Sequence, residues 1–178
     1  MDDFLRISAI WLHILGIALF VGPQFFLAFA WVPAARGIGD MPTRIAATRN
    51  LARGFSRIGG IGLLLIIVAG SYLIADWRDY YSIPDETGFT DIRYGGIFIS
   101  KMVVFLLMLV VVGYHMAVAG PRLIDAMEAE SMGNGTAADV RRARVLSMAF
   151  SITGLVLALV IMAMGVMMNT TSFSLEQS

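Results

Sequence analysis

The chain has 178 residues, no cysteine, 58% hydrophobic residues and a formal net charge of zero, with a mean hydropathy of +0.77. Such a composition is too apolar for a soluble domain of this length, and its charge balance argues against a nucleic-acid partner. Without cysteine the chain can form no disulfide and supply no thiolate to zinc or an iron–sulfur cluster.

Four apolar stretches, about 7–33, 58–75, 95–119 and 145–168, are long enough to cross a bilayer as helices, which takes roughly 20 residues. The start "MDDFLR" is acidic, and the first apolar run has no small-residue cleavage site after it. That run is therefore expected to stay as a membrane helix. The expected fold is all-α: one domain over 1–178, an integral membrane four-helix bundle in contact with lipid. Nine of the thirteen basic residues lie in the first and third loops, at Arg36, Arg44, Arg49, Arg53, Arg57, Arg122, Arg141, Arg142 and Arg144. The positive-inside rule puts those loops in the cytoplasm and both termini outside, in a bacterial inner membrane. Trp77, Tyr80, Tyr81 and Tyr94 then fall at the outer interface.

Span one carries His13, Gln24 and a Gly22-Pro23 step, where a kink is expected because proline lacks an N–H. In the first loop, Asp40 followed by Pro42 reads as a helix start, with the helix running into span two. Span three carries Lys101, the only lysine, and His115, one of two histidines. Thr136 with Asp139, after "GNG", reads as the start of the helix that enters span four. Span four has a stripe of small residues, Ser147, Ser151, Gly154, Ala158 and Gly165, suited to close helix packing.

Spans one and three run in the same direction, so their depths can be compared. His13 and Lys101 each lie about 9 Å below the outer end of their helix, while Gln24 and His115 lie in the inner half. His13 with Gln24, and Lys101 with His115, recur on one face of their helices. The expected arrangement is an outer layer of His13 with Lys101 and an inner layer of Gln24 with His115, turned inward as polar residues in spans usually are. The two histidines differ in depth by about 20 Å, so one metal or haem iron cannot take both. An outer site would draw on His13 with Lys101, Met102, Met162 or Met164. "IMAMGVMM" gathers thioethers of the kind that suit Cu(I), although methionine also serves as apolar filler.

"WLHILGIALFVGPQFFLAFAWVPAAR" resembles the first helix of the CopD (copper resistance D) domain, in its Leu-His start, Val-Gly step and Pro-Ala-x-Arg exit. "RGFSRIGG" and "YGGIFISK" resemble that family's Phe-Ser-Arg and Tyr-Gly…Lys elements. The resemblance implies a membrane protein that binds a metal or haem b in the outer half of the bundle, with copper handling implied by the family name. The layout is also similar to HemJ-type protoporphyrinogen oxidases, with matching residues at His13, Lys101, Tyr114 and His115. That likeness implies haem b as cofactor and, as the enzymatic alternative, oxidation of a porphyrinogen. A third expectation is a small accessory subunit of a larger respiratory or photosynthetic membrane complex, with a partner holding the polar tail "NTTSFSLEQS".

Overall fold

The computed structural model describes residues 3–176. The expected location of the two chain ends falls on residues outside these. Among the described residues the chain is helical and has no strands. Four long helical stretches, Asp3–Arg36, Met41–Ala75, Arg93–Ser131 and Ala137–Asn169, are long and apolar enough to cross a membrane. The first comprises α1 (Asp3–Phe26), a π-helical turn at Leu27–Trp31 and α2 (Val32–Arg36). Then come α3 (Met41–Ala75) and the short α4 (Trp77–Tyr81). The third stretch comprises α5 (Arg93–Tyr114), a second π-helical turn at His115–Ala119 and α6 (Gly120–Ser131). α7 (Ala137–Asn169) and the single turn α8 (Thr171–Ser174) complete the chain.

Large apolar side chains cover the outside of these helices in regular stripes. On α1, Phe4, Ile7, Trp11 and Ile14 are between 59% and 75% exposed and recur every three or four residues. On α7, Met148, Ile152, Val156, Leu159, Met162 and Val166 form a similar exposed line. Water would oppose such surfaces and hydrocarbon would not, so the helices fit a membrane-embedded protein in contact with lipid.

The chain divides into two compact units: residues up to Tyr81 with Pro121–Ala143, and Ser82–Gly120 with the segment from Arg144 onward. In the first unit α1 packs along α3 through small residues. A Cβ built on Gly16 would lie 2.7 Å from the Gly62 carbonyl oxygen, and one on Gly62 would lie 2.7 Å from the Gly16 oxygen. The two backbones touch where neither residue has a side chain, as membrane helices do at glycine crossings. The buried face of α1 is Ala9, Gly16 and Phe20, with half-buried Arg6 and His13 in the same register. At the other end of this unit Ile45, Met127 and Val140 form a small core with Met41, Leu123 and Ile124, and Arg49 pairs with Glu128 at 2.6 Å.

The expected helix starts are present. Asp40 caps α3, accepting a bond of 2.9 Å from the Thr43 amide, with Pro42 in the first turn. α3 runs unbroken from that loop through the second apolar stretch. Thr136 and Asp139 form a reciprocal box: the Asp139 amide donates to Thr136 Oγ1, and the Thr136 amide donates to Asp139 Oδ2, each at 3.2 Å. Gly133, with φ of +75°, makes the turn before it in a conformation suited to glycine.

In the second unit Gly154 of α7 lies against Val112 of α5, and Ser147 and Ala158 are buried while Ser151 is exposed. The tail folds back on the start of α5. Arg93 donates its amide to the Glu176 carbonyl at 3.0 Å, pairs with the Glu176 carboxylate at 2.6 Å, and stands over the Phe173 ring. Ser174 is fully buried there. The tail as far as Glu176 is thus held by its own chain, which removes the reason for assigning it to a partner.

Candidate functional site

His13 is held from two sides by α3. Its Nδ1 lies 3.1 Å from the carbonyl oxygen of Ile66. A carbonyl only accepts, so Nδ1 is the donor in this contact. Gly70 gives the ring its seat, since a Cβ there would stand 3.1 Å from His13 Cε1 and 3.3 Å from Nδ1.

A second polar group shares this helix interface and was not singled out by the sequence reading. Arg6 pairs with Asp76, which is 5% exposed, and the Arg6 guanidinium carbon lies 3.2 Å from the centre of the Tyr80 ring. Arg6 Nε, Asp76 Oδ1 and Tyr72 Oη are buried without a hydrogen-bond partner among the described residues. Removing one member of such a buried pair typically costs about 3–5 kcal/mol, because the other charge is left uncompensated. The sequence did hold a signal: Arg6 precedes His13 by seven residues, which is two turns on one face.

Gln24 bonds its own helix, with Nε2 donating to the Phe20 carbonyl at 3.1 Å. The side-chain amide serves backbone near Pro23, where the helix lacks an N–H. A π-helical turn follows a few residues later.

Lys101 and His115 belong to the second unit. The Lys101 ammonium reaches across to α7, where it lies 3.6 Å from the position a Cβ would take on Gly165. A larger residue at 165 would occupy that space. His115 opens the π-helical turn, and its Nδ1 is buried without a well-formed hydrogen bond. The backbone of Ser147 on α7 faces its ring.

The methionines do not converge. Met162 belongs to the exposed line of α7, 39% exposed, whereas Met164 lines an apolar groove of about 420 Å³ with Met167, Gly96 and Phe173. Two residues on a helix are about 200° apart, so these two thioethers point to opposite sides. A common ion held by Met162 and Met164 is therefore not what the geometry offers. Met102 is half-buried on α5. Among the described residues no group of three or more His, Asp or Glu side chains is placed to hold a metal ion.

Among the described residues the arrangement does not supply a closed cage of protein ligands. No family model, no curated protein and no solved structure matches this chain.

Proposed function

We propose that this protein is a CopD-like integral membrane protein of the bacterial inner membrane, with both termini outside, in which His13 binds the iron of a haem b through Nε2. One observation supports the reading: the His13 ring is fixed by α3, its Nδ1 3.1 Å from the Ile66 carbonyl oxygen and its edge seated against Gly70. A haem fits this donor set better than a bare copper ion. The porphyrin supplies four nitrogens itself and asks the protein for only one or two axial ligands. A copper ion needs several side chains together, and Met162 and Met164 diverge.

When bound, haem would supply a redox-active iron. The chain's own part would be to fix the ring plane through Ile66 and Gly70. By its depth in the sequence Lys101 is a separate candidate ligand of the outer half.

The test is the absorbance of purified protein after haem titration, beside metal analysis. A Soret band that needs His13 and survives His115→Ala supports the reading. Stoichiometric copper with no Soret band would replace haem by copper. Neither ligand bound, or a Soret band unchanged in His13→Ala, would overturn it.

A further inference from the structure

The groove beside the tail is built by one face of α5, by α7 and by the turn α8. It measures about 420 Å³ and is lined by Gly96, Ile97 and Ser100 of α5, Met167 of α7 and Phe173 of α8, with Arg93 at one end. All of these residues lie in the second unit. Arg93, Gly96, Ile97 and Ser100 recur every three or four residues, so the groove follows α5 for about 10 Å. Gly96 keeps it open, since a Cβ there would meet nothing within 4 Å. Apart from Arg93 and Ser100 the lining is apolar. Arg93 is the first residue of α5, and the third apolar stretch begins just after it. The groove therefore starts at the edge of a membrane-spanning stretch and runs into it, as a lipid chain does.

The charged end narrows what can fill it. Arg93 Nη1 lies 2.6 Å from Glu176 Oε2, and the guanidinium carbon stands 5.0 Å from the centre of the Phe173 ring. A guanidinium has five N–H donors and a carboxylate two oxygens, so one such bond leaves donors on Arg93 and an acceptor on Glu176. The two side chains are 42% and 56% exposed, which keeps those groups within reach of a ligand. The start of α5 adds a preference for phosphate beside Arg93. As a whole the pair is neutral, so a headgroup of net negative charge meets repulsion from Glu176. A headgroup with both a phosphate and a primary ammonium complements both members. Its phosphate accepts from Arg93 and its ammonium donates to Glu176. A quaternary ammonium carries the charge but has no N–H to donate.

We propose that this groove binds one phosphatidylethanolamine molecule, with an acyl chain along Gly96 and Ser100 and the headgroup across Arg93 and Glu176. The folded-back tail makes the site. The Arg93 amide bonds the Glu176 carbonyl at 3.0 Å and Ser174 is fully buried, which holds Phe173 and Glu176 against the start of α5. Lipid binding here is independent of His13, and a failed haem titration has no bearing on it.

The test is native mass spectrometry of the purified protein, titrated in detergent with phosphatidylethanolamine, phosphatidylcholine or phosphatidylglycerol of identical chains. It reads affinity and oligomeric state together. Wild type should bind one phosphatidylethanolamine about fivefold more tightly than either other lipid, the effect of about one interfacial charge contact. Glu176→Gln should remove that preference and make phosphatidylglycerol the tightest of the three. Gly96→Leu should abolish the one-to-one adduct by filling the groove. Gly60→Leu, at a position on α3 that is also open, should keep it. Equal affinity of wild type for the three lipids overturns the proposal, and so does an undiminished adduct in Gly96→Leu. A dimer that Gly96→Leu dissociates would overturn it too, by giving the groove to a second copy of the chain. If Gly96→Leu fails to fold, Glu176→Gln decides alone, because its side chain is exposed, and an unchanged preference there refutes the assignment.

Discussion

Replacing Gly16 with alanine adds one methyl group where the structure has no room for it. The new Cβ would stand 2.7 Å from the Gly62 carbonyl oxygen and 2.9 Å from the Ile66 amide nitrogen, both backbone atoms. Backbone cannot swing aside as a side-chain tip does. To reach an ordinary contact near 3.4 Å, α1 and α3 must part by about 0.7 Å. A gap of that size forfeits roughly a quarter to a half of each dispersion contact across the seam, and overpacking of this kind costs about 1–3 kcal/mol. The same displacement would stretch the 3.1 Å bond from His13 Nδ1 to Ile66 beyond hydrogen-bonding range. Gly60 is the control, because a Cβ there meets nothing within 4 Å. Gly60→Ala should be neutral, or more stable by up to about 1 kcal/mol through helix propensity. The assay is the loss of helical circular dichroism as the purified protein is titrated from mild detergent into a denaturing one. Gly16→Ala should unfold earlier than wild type and Gly60→Ala no earlier. Equal midpoints for the two variants would refute the claim that the α1–α3 seam is closed by backbone contact.

Lys101→Arg keeps the charge and the reach of the side chain but loses the compact amine. It should lose haem absorbance as His13→Ala does, and retention of full ligand content would reduce Lys101 to an anchor. Asp40 has its carboxyl held below the usual value by hydrogen bonding from the Thr43 side chain, then its amide. A depressed carboxylate stabilises the fold above the unfolded pKa and loses that contribution as pH falls through the folded one. The first turn of α3 should therefore keep its amide protection at neutral pH and lose it in acid below the ordinary aspartate range, while Asp40→Asn should lack that step. For orientation, a reporter that fluoresces only in the cytoplasm, fused after Ser178, should stay dark in cells, and a bright one would reverse the topology.

The helix ends were legible in the sequence because they are local chemistry. Asp40 with Thr43, and Thr136 with Asp139, are three residues apart, and capping needs nothing beyond that spacing. The apolar stretches were legible for the same reason, since length and hydropathy alone decide whether a helix suits hydrocarbon. The helices run beyond the apolar stretches, and α3 begins at Met41 as the Asp40 start leads one to expect, because a helix continues through polar residues once its first turn is capped. The two π-helical turns carried no comparable local signal.

The candidate site was legible only in part, and the reason lies in what a depth argument can see. Counting residues along a helix located His13, since a histidine in a span stands out. It could not reveal Ile66 and Gly70, which contribute a carbonyl and an absent side chain and so have no polarity to notice. Arg6 and Asp76 stand near helix ends, where most charges belong to the membrane surface, so nothing in the sequence marked them as a pair. Their burial against each other follows from the packing of α1 on α3, which Gly16 and Gly62 bring together. Lys101 poses the complementary case. Its chemistry was plain from being the only lysine, whereas its direction was not: the ammonium turns toward Gly165, a glycine that could be read only as one member of a packing stripe. In each case the missing element is a glycine or a backbone atom on the facing helix. Polar residues in a membrane segment therefore say where a site lies, and the small residues opposite them say which way it is aimed.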